Sequence, residues 1–332
     1  MKRIDFIEFL KGYAIFSIAI FHFLQILKLP SLLNQYISFG GTGVHLFVLL
    51  SGFGLYLSHL NKPLNYVSFI KKRISKIYIP YILVIVISVF VSFFLPVYPN
   101  SLYAFGGHVF LYKMFDESIV GSYGYPLWFI SMSIQFYIVF IPLTFLLKKI
   151  NSTYFILTGF LLSIFWITVV LFLGKETFRV WNSFFLQFIW EFIIGMVIAS
   201  KFKRDNYQIN FNLKPIYFLI VGILGCISYA FLAIKGGDIG KMTNDFPALV
   251  GYTSLAIWLY QINLVAINKF FIFTGKISFS IYLIQILILN ILLLFTDIIS
   301  VSIILVAALI MAYLASFYYQ KIILLLYRFM KI

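Results

Sequence analysis

Ten stretches of this chain stay apolar for about the ~20 residues that a helix needs to cross hydrocarbon. They lie near residues 9–28, 39–58, 77–96, 126–147, 154–173, 183–200, 215–234, 247–268, 277–295 and 300–326. Within lipid every backbone N–H and C=O must be satisfied by the chain itself, and runs of this length do that as helices. The expected fold is therefore all-α, a polytopic bundle of about ten transmembrane spans forming one integral-membrane domain over 1–332 without a soluble extension. Composition agrees: the chain is 63% hydrophobic and 11% charged, with a mean hydropathy of +1.03, where soluble domains are about 25% charged.

A formal net charge of +15 would suggest nucleic acid in a soluble protein, so the cations have to be sorted by side first. Ten spans put both termini on one side. If that side is cytoplasmic, only Lys28, Lys113, Lys175, Arg179, Lys235 and Lys241 fall outside, leaving 19 of the 25 Lys and Arg on cytoplasmic segments. This is the bias of a multi-pass protein with cytoplasmic termini, and it makes the bilayer, not nucleic acid, the expected partner. The single cysteine, Cys226, excludes an intrachain disulfide and shows no metal-ligand spacing. The basic N-terminus followed by an apolar run resembles a signal peptide, but no small-residue cleavage region follows, so it reads as an uncleaved first span.

Within that first run three ionisable residues stand out. Glu8, Lys11 and His22 share one helical face, because His22 is rotated from Lys11 by about 1100°, three turns plus roughly 20°. The rise separates Lys11 from His22 by roughly 16 Å, so Lys11 sits near one boundary and His22 near the middle or beyond. An imidazole at that depth marks either a functional site or a packing histidine bonded to a neighbouring Ser or Tyr.

Other runs carry their own polar residues. Lys71-Lys-Arg73-Ile-Ser-Lys76 places four cations in six residues, suited to phosphates or to anionic lipid heads. Gly40, Gly41, Gly43, Gly52 and Gly54 in the second run allow close backbone approach, either to another helix or to a bound chain such as pantetheine. Trp128, Ser131 and Gln135 recur at helical spacing as a polar-aromatic stripe. Glu191 lies about nine residues into the sixth run and needs a cation or hydroxyl partner. The connection from Val97 to Tyr125 holds an apolar piece, Leu102 to Phe115, too short to span, with His108 reading as an interfacial hydrogen-bonded residue.

Together these segments resemble the integral-membrane acyltransferase 3 family. The first-span spacing of an acid, a basic residue three later and a His eleven after that matches Glu8, Lys11 and His22. The family's Gly-rich span ending in Ser-Gly-Phe is similar to Gly43 through Phe53, and its basic pair before Pro-Tyr is similar to Arg73 through Tyr81. Its Trp-Ser-Leu-Ser segment resembles Trp128 through Tyr137, with Ile134 at the usually acidic position. Trp190 through Met196 and Gly275 through Gln285 also match, with Gln285 where a His is common.

The resemblance implies transfer of an acyl group, acetyl in the first instance, from acyl-CoA on the cytoplasmic side to a saccharide hydroxyl, in a bacterial inner or plasma membrane. Acetyl-CoA would be a co-substrate and no cofactor would be resident. His22 would be the general base, with Glu8 in the catalytic group orienting Lys11 instead of acting as a base. Lys11, Arg73 and Lys76 would bind the donor, while Trp128, Gln135, Tyr137 and Glu191 would line the acceptor cavity, with no metal. Extended pantetheine, about 16 to 20 Å long, is close to the rise from Lys11 to His22. The competing readings are a transporter or flippase using His22 and Glu191 as a proton relay, and an accessory subunit of polysaccharide synthesis or export.

Overall fold

The computed structural model describes residues 4–27, 29–209, 211 and 213–330. Lys2, Arg3, Lys28 and Lys331, counted in the charge bias, lie outside the described residues. No strand occurs among the described residues, and the all-α polytopic architecture expected from the apolar runs is the one formed.

In chain order the helices begin with α1 (Asp5–Leu24), α2 (Ser31–Ser38), α3 (Gly43–Asn61), α4 (Tyr66–Phe94) and α5 (Leu102–Val109). Next come α6 (Trp128–Lys149), α7 (Ser152–Phe172), α8 (Arg179–Asn182), α9 (Phe185–Arg204) and α10 (Pro215–Lys235). The chain closes with α11 (Gly237–Thr243), α12 (Asp245–Gln261), α13 (Val265–Lys276), α14 (Ser278–Leu293) and α15 (Val301–Phe329). Asn65 and Asn151 cap α4 and α7 by accepting from Ser68 N at 2.9 Å and Thr153 N at 2.8 Å.

Among the described residues eight helices are long and apolar enough to cross a membrane, and nine if α13 and α14 count as one broken span. The run 247–268 is the main departure from the ten marked by composition. Its backbone breaks between α12 and α13, where Asn263 takes a left-handed φ of 57°. Hydropathy registers apolar length but not a single residue that turns the chain.

By internal packing the chain divides into two compact units. The first comprises Met1–Pro63, Thr144–Glu176 and Leu186–Ser278, and the second Leu64–Leu143, Thr177–Phe185 and Phe279–Ile332. The first unit is built on close helix crossings. A Cβ on Gly12 of α1 would meet the Phe271 carbonyl oxygen of α13 at 1.9 Å, and one on Gly275 would meet the Glu8 carbonyl oxygen at 1.8 Å. Gly52 and Gly195 do the same for α3 and α9, with Phe192 O at 2.1 Å and Leu49 O at 2.0 Å. Helix approach, not room for a bound chain, therefore accounts for Gly52. Phe9, Leu46, Leu50, Trp190, Tyr252 and Phe271 form the surrounding core.

In the second unit two prolines set the packing. Pro80 inside α4 has no N–H, so the Lys76 carbonyl loses its helical partner and instead accepts from Tyr327 OH of α15 at 2.7 Å. Pro142 frees the Ile138 carbonyl in the same way, and Tyr66 OH donates to it at 3.3 Å. Tyr81, Val84, Ile85, Leu127, Ile130 and Tyr319 lie in its core. Phe90 and Phe94 of α4 and Ile303, Val306, Ile310 and Leu314 of α15 are exposed, as lipid-facing positions should be.

Candidate active site

The first turns of α1 bring Glu8 and Lys11 together. Glu8 is buried, and its Oε1 accepts from Lys11 Nζ at 3.3 Å, while the lysine side chain stays one-third exposed. The Gly12–Gly275 crossing immediately beside this pair fixes α1 against α13, so the pair is held by backbone contact as well as by charge. His22 lies at the far end of the same helix, half-buried, with Nδ1 3.3 Å from Gln25 Oε1 and its ring 5.0 Å from that of Phe21. The structure thus joins Glu8 to Lys11 and leaves His22 three turns away. Between them Tyr13 and Phe16 pack on Phe271, and Ser17 Oγ meets Tyr252 OH, so an aromatic wall covers the intervening length of helix.

Glu191, the other intramembrane acid, finds an imidazole partner. Its Oε1 lies 2.6 Å from Nδ1 of His45, in the first turn of α3. The opposite ring nitrogen, Nε2, lies 3.1 Å from Oδ1 of Asp245 at the start of α12, whose Oδ2 accepts from Gln187 Nε2 at 3.1 Å. Both ring nitrogens can be hydrogen-bonded only if two protons are shared among the three groups, as imidazolium between carboxylates or as imidazole beside one carboxylic acid. Either way the cluster keeps one net negative charge. Glu191 Oε2 and Gln187 Oε1 are buried acceptors one helical turn apart on α9 with no hydrogen-bond partner among the described residues. Chemically, this is a place that receives hydrogen-bond donors.

His45 and Asp245 were not singled out from the sequence. The signal was available for His45, since it is an ionisable residue inside an apolar run like Glu191. Asp245 gave none, because it stands at a helix start where acids are common.

The second unit holds the other predicted residues. On α4 Lys71, Lys72 and Lys76 are exposed, whereas Arg73 is tucked in, with its guanidinium 5.7 Å from the Phe69 ring centre and Nε buried without a hydrogen-bond partner among the described residues. Phe69 in turn packs on Tyr137 and Phe140 of α6, at 6.2 and 4.7 Å between ring centres. Arg73 and Tyr137, assigned to different substrates from the sequence, therefore share one aromatic shelf.

Trp128 and Gln135 sit further along the stripe of α6. The Arg179 guanidinium lies 5.2 Å from the Trp128 ring and 5.0 Å from that of Tyr125, and it donates to Tyr125 OH. Glu117 holds this arginine in place by accepting from Arg179 N and Val180 N, both at 2.8 Å. Gln135 Oε1 accepts from Phe185 N at 3.0 Å, satisfying one of the donors that the start of α9 leaves open. In the sequence Arg179 reads only as an external cation, yet it organises this cluster.

Among the described residues no three His, Cys, Asp or Glu side chains are arranged as a metal-ligand set. The family model Acyl_transf_3, an acyltransferase domain, matches residues 4–321. No curated protein and no solved structure matches the chain.

Proposed function

The chain belongs to the acyltransferase 3 family, and from that premise we propose that this membrane acyltransferase moves an acetyl group from acetyl-CoA to a hydroxyl of a cell-surface or lipid-linked saccharide. Family membership over nearly the whole chain is the observation that carries the reading. The residues support it in three separate places.

On α1, His22 is the general base. Its unprotonated ring nitrogen takes the proton of the attacking hydroxyl as the oxygen bonds to the thioester carbonyl carbon. The carbon–sulfur bond then breaks, and the proton passes to the departing thiolate, so the reaction is balanced without another reactant. Lys11, steadied by Glu8, offers positive charge at the other end of the helix. The ~16 Å rise between Lys11 and His22 suits a donor whose charged and reacting ends lie far apart.

In the same unit, the cluster of His45, Glu191, Asp245 and Gln187 suits a saccharide. Its unpartnered buried acceptors favour a ligand rich in hydroxyl donors. In the second unit Arg73 and Lys76 are assigned to donor phosphate, with Arg73 pre-oriented by its aromatic shelf. Trp128, Gln135 and Tyr137 are assigned to the acceptor cavity.

The test separates donor from acceptor. Arg73→Gln with Lys76→Gln should raise KM for acetyl-CoA at least tenfold while leaving KM for glycan within about twofold. An equal rise in both, or a change in membrane retention alone, would assign these cations to lipid anchoring.

A further inference from the structure

The 97–125 connection contains a lysine whose setting the acyl-transfer reading does not use. Lys113 lies in the 3-10 turn Tyr112–Phe115, is 0% exposed, and its Nζ has no hydrogen-bond partner among the described residues. A buried ammonium is costly unless it is paired, and Met or Leu would occupy similar volume without that cost.

The neighbouring acids do not supply the pair. Asp116 accepts from Tyr103 OH at 2.6 Å and from Ser118 N and Oγ at 2.9 and 2.6 Å. Glu117 is committed to the backbone of Arg179 and Val180. His108 does not compete with an anion for the lysine. A consistent proton assignment has Tyr81 O–H donating to Nδ1 at 2.6 Å, Nε2–H to Ser122 Oγ at 2.8 Å, and Ser122 O–H to the Ile119 carbonyl at 2.6 Å. That makes the imidazole neutral. Burial first, and the Lys113 charge second, push its pKa down to about 2.

Two bulky residues in the left-handed region bracket the cluster, Leu111 with φ 63° and Tyr123 with φ 51°. Such backbone persists where the surrounding structure demands it.

We propose that Lys113 anchors an anion site in this connection, which takes a singly charged oxyanion, of the carboxylate or phosphodiester class, together with one proton. The three N–H donors of the ammonium then gain an acceptor, and the buried charge gains its counter-ion. Burial pushes the Lys113 ammonium down to about 7 in the free protein. Anion affinity should therefore be greatest below that pH and fall roughly tenfold per unit above it.

The titratable groups of the surrounding segments are Tyr78 and Tyr81 on α4, Tyr103 and His108 on α5, and Tyr112, Asp116, Glu117 and Tyr123 around the turn. His108, held neutral by burial, carries no charge change over pH 6 to 8, and the proposal assigns the pH dependence to Lys113.

The experiment follows the thermal midpoint of the purified full-length chain during titration with sodium glucuronate, with glucose as the neutral control. A second arm compares nanodiscs of phosphatidylcholine with nanodiscs containing phosphatidylglycerol. Both anions keep one negative charge from pH 6 to 8. The proposal expects the half-saturating glucuronate concentration to be about tenfold lower at pH 6 than at pH 8, and the response to vanish in Lys113→Met and Lys113→Gln. A lysine-dependent shift confined to the phosphatidylglycerol discs would support the site and identify a lipid headgroup as the source of the anion. Equal responses in wild type and variants would overturn it, as would wild-type binding to either anion that ignores pH or strengthens as pH rises. This last comparison needs no variant to fold, and none of the readouts depends on acyl transfer.

Discussion

Nδ1 of His45 lies 2.6 Å from Oε1 of Glu191, a pairing across 146 positions of sequence that ties the first turn of α3 to α9. The ring's other nitrogen faces Asp245, so one imidazole links three helices of the first unit. Removing one partner leaves the others buried and uncompensated. His45→Ala or Glu191→Ala should each cost about 3–5 kcal/mol, and a double-mutant cycle should show about 1–3 kcal/mol of coupling. Unfolding free energies of the four proteins in mixed detergent measure it; strictly additive losses would mean that the two side chains act independently.

Close approach and open space are separated by half a turn on α3. A Cβ at Gly52 would stand 2.1 Å from the Phe192 carbonyl oxygen, whereas one at Gly54 would meet nothing within 4 Å. Gly52→Ala should therefore lose about 1–3 kcal/mol through displacement of α9. Gly54→Ala should be neutral or gain about 0.5–1 kcal/mol from helix propensity. Thermal midpoints of the two variants provide the comparison.

Acid should weaken the fold through His108. Its pKa is held at about 2 in the folded chain, while the unfolded value is near 6.5. The unfolded state therefore binds the extra proton between those values, and the stability associated with neutral His108 is present above pH 6.5 and lost as pH falls towards 2. From pH 6.5 to 5 the loss is about 2 kcal/mol. His108→Gln, which can still bond to Tyr81 or Ser122, should show a shallower decline over this range when unfolding is followed against pH.

Tyr327 should matter because of Pro80. Tyr327→Phe leaves the Lys76 carbonyl without the hydroxyl that replaces its helical bond, at a cost of about 1 kcal/mol or slightly more. Adding Pro80→Ala restores an N–H in α4 and should recover part of that loss. Stability of the single and double variants checks the compensation, and no recovery would show that the proline is not the reason for the contact.

The sequence and structure agree where the signal is local in the chain. Apolar runs predict helices because hydrocarbon leaves the backbone few alternatives, and the Glu8–Lys11 pair follows from a spacing of three. The need of Glu191 for a partner was legible from its depth, but His45 as that partner was not, since helical periodicity carries no information across 146 positions. Asn263 shows the opposite limit, with one left-handed residue dividing an apolar run that composition reads as continuous. Gln135 stands out in the sequence as an amide well inside an apolar run, but its hydrogen bond from the backbone N–H of Phe185 joins positions 50 apart and is not legible there. Lys113 reads in the sequence as one more external cation, yet it is buried.

The central claim is acyl transfer with His22 as base. Its most direct measurement is the passage of labelled acetyl from acetyl-CoA into a mixed cell-envelope glycan, using membranes with matched amounts of wild type or His22→Ala. The account predicts label in glycan with wild type and a loss of at least about 100-fold in the variant, with membrane insertion unchanged. Transfer by His22→Ala at the wild-type rate would remove His22 from the mechanism. Failure of the wild type to consume donor when donor and acceptor are both shown to be present would contradict the proposed reaction itself.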